Sequence, residues 1–362
     1  MNLRLDTESS SQLFISSFEL EFNTKAMLKA CLLTEGIRLH RSFAGLLPRK
    51  PFYSVVTEGI ELEVNGAFFV NAPIRENSPN ELIVTNGQAI IRTENADYPV
   101  RCLPISQVLL EANATSNRPI SDYCSISTDR ANIWPVDGCY FAACNKPCCF
   151  CDVGFGPDSY QTLDQSLSIN ALKAVIHDTT LPIRHIQVTG GTPAPYHWDH
   201  FVEVTKQALS TGLPVSVMTS PTTPVSVLNE LYESGVDELC VNIEFVSEEL
   251  RSKLCPGKTS VTWDMLETLA SKWPRGKVRS AIIIGPEKIS AILQGIRRMA
   301  VIGIVPVLSP FRAVKGTPMS DFSGFTHESL YSLYMDTLEI MDIEGLFVGP
   351  LCSMCKHNVM AI

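Results

Sequence analysis

The chain has 362 residues, 45% of them hydrophobic, and 38 acidic against 29 basic side chains leave a net charge of −9. That is enough apolar material for one long domain or two ordinary ones. The acidic balance excludes a general binder of nucleic acid, whose phosphates need clustered Lys and Arg, and the longest apolar run, 299–308, is too short for a membrane span of about 20 residues.

The opening Met1-Asn2-Leu3-Arg4-Leu5-Asp6 lacks the basic start and apolar block of a secretory signal, so a cytoplasmic protein without a membrane partner is expected. Segments 53–56, 60–64 and 89–91 are short and β-prone, and Asn65-Gly66 and Asn86-Gly87 between them are hairpin signals. They predict a β-rich amino-terminal lobe over 1–125 with no catalytic cluster in it.

Beyond about residue 133 the pattern alternates. A short strand near 133–136 is followed by strands at 184–188, 214–218, 239–245, 279–284 and 304–308. Helices at 198–209, 224–233, 246–254, 262–272, 287–300 and 327–341 alternate with them or follow the last. The fold class is α/β, built from βα units on a parallel sheet. About six units fall short of the eight of a closed barrel, which predicts a partial six-stranded (β/α)6 TIM-like barrel over 126–345 and a tail over 346–362. Pro306 cannot donate to a ladder, so the last strand belongs at an edge. Along 239–245, Leu239, Val241, Ile243 and Phe245 share one parity and Cys240, Asn242 and Glu244 the other, which would point inward. A buried carboxylate needs a partner, so Glu244 is expected to face a polar ligand or water.

Twelve cysteines are too few for a disulfide scaffold. They cluster at Cys139, Cys144, Cys148, Cys149 and Cys151, with a pair at Cys352 and Cys355. Such clusters without a secretory signal point to metal or cluster ligands. Cys144, Cys148 and Cys151 are separated by three and two residues, with Phe150 before the last. Three thiolates on one short loop hold three corners of a cubane 4Fe-4S cluster and leave the fourth iron open. Structural zinc, the alternative, wants four ligands. Cys139 and Cys149 fall outside the pattern as bystander thiols.

This spacing resembles the signature of the radical S-adenosylmethionine (radical SAM) superfamily, Cys-x3-Cys-x-aromatic-Cys after the first strand of a partial βα barrel. Thr189-Gly190-Gly191-Thr192-Pro193 is similar to that family's Gly-Gly-Glu-Pro motif, with Thr192 in place of the acid. The resemblance implies that Gly190, Gly191 and Thr192 meet the methionyl ammonium of SAM. It also implies that Glu244 contacts its ribose or amino group and Arg251 its carboxylate. Ala281, Ile283 and Gly285 resemble the adenine-contact pattern Gly-x-Ile-x-Gly, with alanine in the first place. For Arg251 a solvated helix face beside Glu248 and Glu249 is the even alternative.

A narrower resemblance is to a biotin-synthase-like group associated with nitrilase gene clusters. It rests on 241–258 with Cys255-Pro256-Gly257-Lys258, on Pro310-Phe311-Arg312 with Gly316-Thr317, and on Cys352-x2-Cys355. The class implies 4Fe-4S and SAM as cofactors, a one-electron reductant such as flavodoxin or ferredoxin, and a small-molecule substrate, amino-acid-like compounds among the candidates. Sulfur or methyl transfer through an auxiliary cluster, and a metal-binding protein without catalysis, stay open beside it.

Cys352 and Cys355 could help hold a second Fe-S cluster, with Cys255 or Cys139 to complete it and His357 as a further donor; free thiols on a mobile tail are the alternative. His185, His197, Asp199 and His200 lack a third spaced ligand, so no metal site is expected there. Arg312 and Lys315, after the last strand, are placed to receive a substrate carboxylate.

Overall fold

Asn-Gly supplies two consecutive residues that tolerate positive φ, as a two-residue hairpin with right-handed twist demands. The computed structural model describes residues 21–43, 59–103, 108–109, 119–154, 160–178, 183–259 and 262–362. After helix α1 (Phe22–Glu35) come β1 (Arg38–Leu39), β2 (Gly59–Val64), β3 (Phe68–Pro73), β4 (Glu81–Thr85), β5 (Gln88–Arg92) and β6 (Asp97–Cys102). Asn65-Gly66 turns β2 into β3 with φ of 51° and 65°, and Asn86-Gly87 turns β4 into β5 with 52° and 77°. The sheet order is β1-β4-β5-β6-β2-β3. The predicted strand at 53–56 lies outside the described residues.

The second sheet starts with a hairpin, β7 (Cys124–Ser127) and β8 (Arg130–Ile133). A small ribbon follows, β9 (Val136–Asp137) against β10 (Gln161–Thr162), with the short helix α2 (Tyr140–Ala143) between them. Then come α3 (Gln165–Ile176), β11 (His185–Val188), α4 (Trp198–Leu209), β12 (Val215–Thr219), α5 (Val225–Glu233) and β13 (Glu238–Val241). The chain continues with α6 (Glu248–Leu254), α7 (Thr262–Ala270), β14 (Val278–Ile284), α8 (Ile289–Ile302), β15 (Val305–Pro310) and α9 (His327–Ile343). Strand order is β15-β14-β13-β12-β11-β8-β7, with every pair from β8 to β15 parallel.

Because each crossover adds its strand on the same side, the sheet curls as a barrel does, but six parallel strands leave it open. All seven residues of β14 are buried, as a strand covered on both faces requires. Helical apolar positions such as Phe201, Leu228, Leu266 and Ile296 complete the core.

Pro306 sits on edge strand β15, opposite Ser280. The tail then covers that edge: Gly349 N–H donates to Pro306 C=O at 2.9 Å and Met360 N–H to Leu308 C=O at 2.8 Å. His357 C=O accepts from Asn71 N–H on β3 at 2.7 Å, so the tail also seams the two sheets. Its cysteines are therefore not on a free end; Cys355 is buried.

The strand expected over 239–245 stops at Val241. Beyond it, side chains and an isolated bridge replace the regular ladder. Asn242 Oδ1 accepts from Ala281 N–H at 3.2 Å, and Glu244, at φ 64°, makes only an isolated bridge to Ile282. The following helix begins at Glu248 because Ser247 Oγ accepts from Leu250 N–H, an N-cap that fixes the start.

Candidate functional site

The cysteine loop leaves the carboxyl end of β8 and is bracketed by the β9–β10 ribbon. Helix α2 lasts one turn, and Asn145, at φ 58°, reverses the chain after it. Cys149 N–H donates to Leu254 C=O at 2.8 Å, which fastens the loop to the end of α6, and Cys151 N–H donates to Cys148 C=O at 3.2 Å. Cys144 is exposed and its thiol hydrogen-bonds Tyr140; Cys148 and Cys151 are half-buried.

The segment after β11 is the backrest of this loop. Thr192 C=O accepts from Tyr140 N–H at 3.0 Å. Gly190, at φ 121°, passes the Trp134 side chain, and a Cβ on Gly191 would stand 1.9 Å from the Gly138 carbonyl oxygen. The structure thus accounts for Gly191 by the closeness of two backbones.

Beneath the loop, Cys255 is fully buried with Phe245 and Ile283, and Cys148, Phe150 and Phe311 pack on them. The Cys255 thiol hydrogen-bonds Cys148. That contact, reinforced by Lys258 against the opposing effect of burial, holds the Cys148 thiol below its ordinary range. The same contact, with burial, pushes Cys255 up. Burial pushes Cys151 up to about 12, with the neighbouring Cys148 adding to it. Lys258 Nζ lies 2.6 Å from Glu244 Oε1, both largely buried. The turn carrying Lys258 is pressed onto the cysteine helix, since a Cβ on Gly257 would meet Phe141 Cγ at 2.3 Å.

Arg251 is buried, so the solvated helix face does not apply. Its Nη1 donates to Phe245 C=O at 2.8 Å, while Nε has no hydrogen-bond partner among the described residues. Glu287 accepts from the N–H groups of Val246 and Ser247 at 2.8 and 2.6 Å and fixes the approach to this arginine. Cys144, Cys148 and Cys151 thus lie on one loop whose Cys148 side adjoins Glu244, Lys258, Cys255 and Ile283. An orphaned buried guanidinium nitrogen stands on α6, to whose last turn the loop is fastened.

Two of the other expectations, those for Arg312 and for the tail cysteines, come out differently. Arg312 donates to Asn71 Oδ1 at 2.7 Å and to the Asn71 carbonyl, so it ties the barrel to the amino-terminal sheet instead of awaiting a carboxylate; burial lowers it to about 10. His197 bonds Tyr160 at 2.9 Å and His200 the Pro135 carbonyl at 3.0 Å, so these two do not gather with His185. His185 instead meets Cys355, its Nε2 2.8 Å from Sγ, and Cys352 and Cys355 converge there with Asp129, away from Cys139 and Cys255. His357 points to Ser127 and Glu61.

Sequence reasoning misses Lys258 and Asp129 as site residues. The turn 255–258 stands out in the sequence, but the ion pair of Lys258 with Glu244 spans 14 residues and a change of element. Nothing in the sequence marks Asp129.

Compared with known proteins, residues 139–296 match the model of the Radical SAM superfamily. Among solved structures, methylornithine synthase is 17% identical, with 63% of this chain and 65% of that one covered and a TM-score of 0.46. SuiB of Streptococcus suis is 13% identical over 63% and 51%, TM-score 0.49. Coproporphyrinogen III oxidase of Escherichia coli is 14% identical over 56% and 51%, TM-score 0.40. The chain spans less than two thirds of the length of each of these. No curated protein matches it.

Proposed function

We propose, from the premise that residues 139–296 are a radical SAM domain and the chain an enzyme of that class, that Cys144, Cys148 and Cys151 hold a 4Fe-4S cluster and that the barrel mouth takes a small metabolite. The carrying observation is the placement of three thiols on one short loop at the carboxyl end of the first parallel strand, with Cys148 packed over the buried Phe245, Cys255 and Ile283. A thiolate is what iron binds. Held by Cys144, Cys148 and Cys151, such a cluster would supply one-electron chemistry, the reductive cleavage of SAM used for hydrogen abstraction from carbon.

The rest falls to the chain's own residues. Cys255, fully buried with Phe245 and Ile283, packs under Cys148 and supports that ligand from below. Lys258 and Glu244 neutralise each other at the floor. Arg251, with a free Nε, is shaped to receive one carboxylate oxygen. Phe150, Phe245, Ile283 and Phe311 keep water from the region under the cysteines. A reductant such as flavodoxin or ferredoxin would deliver the electron at exposed Cys144.

Anaerobic reconstitution tests this. About four irons and four sulfides per chain, and 5′-deoxyadenosine on reduction with SAM, are expected. Cys148→Ala removes both. Retention of SAM cleavage in that variant sinks the assignment.

A further inference from the structure

We propose that Asp129, His185, Cys352 and Cys355 form a second, mononuclear metal site, a zinc site that clamps the carboxyl-terminal tail to the amino-terminal end of the barrel. The four donors come from three separate parts of the chain. Asp129 stands in the β7–β8 turn behind Thr128 at φ 62°, His185 opens β11, Cys355 lies within the single 3-10 turn Met354–Lys356 and Cys352 just before it. One ligand atom from each lies within 4.8 Å of all the others. His185 Nε2 is 2.8 Å from Cys355 Sγ, His185 Nδ1 is 3.9 Å from Asp129 Oδ1, and Cys352 Sγ is 3.8 Å from the same oxygen.

Bonds of about 2.3 Å to sulfur and about 2.0 Å to nitrogen or oxygen put the ligands of one tetrahedral zinc roughly 3.3–3.8 Å apart. From an envelope of 4.8 Å the set must draw in by about 1 Å, with one His185 nitrogen turned to the metal and its 2.8 Å contact with Cys355 opened. A cubane spreads its ligands more widely around four irons and draws on thiolates, whereas this set is half imidazole and carboxylate, donors suited to zinc.

Burial supports the same conclusion. Asp129 and Cys355 are almost completely enclosed, at 2% and 4% exposure. Around the carboxylate stand a hydroxyl at 3.5 Å, a thiol at 3.8–3.9 Å and an imidazole at 3.9 Å, all weak partners for a charge out of water. A divalent cation among the four gives that charge a strong one. The half-buried Cys352 and His185 border a cavity of about 300 Å³ lined by Arg130, Arg184, Lys277 and Arg279 beside Asp237 and Glu238, so a metal would enter past basic side chains.

The location separates the site from the cysteine loop. His185 begins β11, while the Gly-Gly segment lies past the end of that strand. Fixing Cys352 and Cys355 to β11 and the β7–β8 turn anchors a tail that covers edge strand β15 and bonds to β3, so the metal would stabilise the seam between the two sheets.

The test uses the full untagged chain carrying Cys144→Ala, Cys148→Ala and Cys151→Ala, so that its outcome does not depend on the iron cluster of the proposed function. One zinc per chain by elemental mass spectrometry is expected. Cobalt(II) added after chelation should give tetrahedral ligand-field bands with thiolate charge transfer. Cys352→Ser with Cys355→Ser should abolish the bands, and His185→Ala should weaken cobalt binding by about a hundredfold or more. Should the double variant not fold, Asp129→Asn, which keeps both thiols, must still shift the spectrum. Iron in place of zinc, a Cys352–Cys355 disulfide in metal-free protein, or bands indifferent to these substitutions would overturn the proposal.

Discussion

Glu244 and Lys258 meet at 2.6 Å in the floor of the candidate site, although one stands past the end of β13 and the other past the end of α6. The positive φ of Glu244 breaks the strand and aims its carboxylate at the turn that follows α6. The pair therefore couples the barrel wall to the turn that also carries Cys255.

Lys258→Met removes the cation and leaves a carboxylate enclosed, a change that destabilises by about 3 kcal/mol. Burial alone would lower Lys258, but Glu244, Cys148 and Cys255 outweigh it and hold its pKa well above 10.5. A cation raised in the folded state contributes stability that is fully present below its ordinary value and is lost as pH rises through the folded one. Denaturant melts of parent and variant should thus differ by the same amount from about pH 6 to about pH 9. A difference that shrinks in that window contradicts the pairing.

Cys255→Ala separates a supporting thiol from a fourth ligand. As a buried thiol packed beneath Cys148 it supports the ligand, so the variant should keep about four irons per chain after reconstitution. Loss of the hydrogen bond should raise the Cys148 thiol and slow cluster assembly several-fold, followed by visible absorbance. An iron content as low as that of Cys148→Ala would make Cys255 a ligand and close the open corner.

The parallel strands, the edge position of Pro306 and both Asn-Gly hairpins were legible because each rests on local chemistry: apolar runs, a missing N–H, residues that accept positive φ. The path of the chain beyond Val241 was not. Period-two parity carries a strand on to Phe245, whereas Asn242 and Glu244 end the regular ladder through partners on β14 and after α6. Arg312 reads as free for a substrate because its loop comes after the last strand, yet its partner Asn71 is 241 residues away. The Cys-x2-Cys pair was visible as a ligand motif, but Asp129 and His185 could be joined to it only by the fold. Local signals survive in a sequence; contacts between distant segments do not.

Gly191→Ala puts a methyl 1.9 Å from the Gly138 carbonyl oxygen and 2.7 Å from Cys139 Cα, both rigid backbone. The two loops must separate, with an expected destabilisation of about 2–3 kcal/mol. Because the Gly138 side carries the cysteines, iron content after reconstitution should fall along with the melting temperature. Unchanged melting would mean that the backrest contact is not what glycine is for.

Arg251→Met examines the orphaned nitrogen. Its Nη1 bond to Phe245 C=O contributes about 1 kcal/mol to stability, so the variant should fold and take up iron. If Nε binds a carboxylate oxygen of SAM, the lost charge-assisted contact is about 1.5–3 kcal/mol, or roughly 10- to 100-fold in affinity. Equilibrium dialysis of SAM against the reconstituted protein reads this directly. Arg251→Lys should recover little of it, because a single ammonium in a site fixed by Phe245 and Glu287 cannot reach both partners as a planar fork does. Equal SAM binding by parent and methionine variant, with iron content the same in both, would leave Arg251 a structural cap on Phe245 and place the methionyl carboxylate elsewhere.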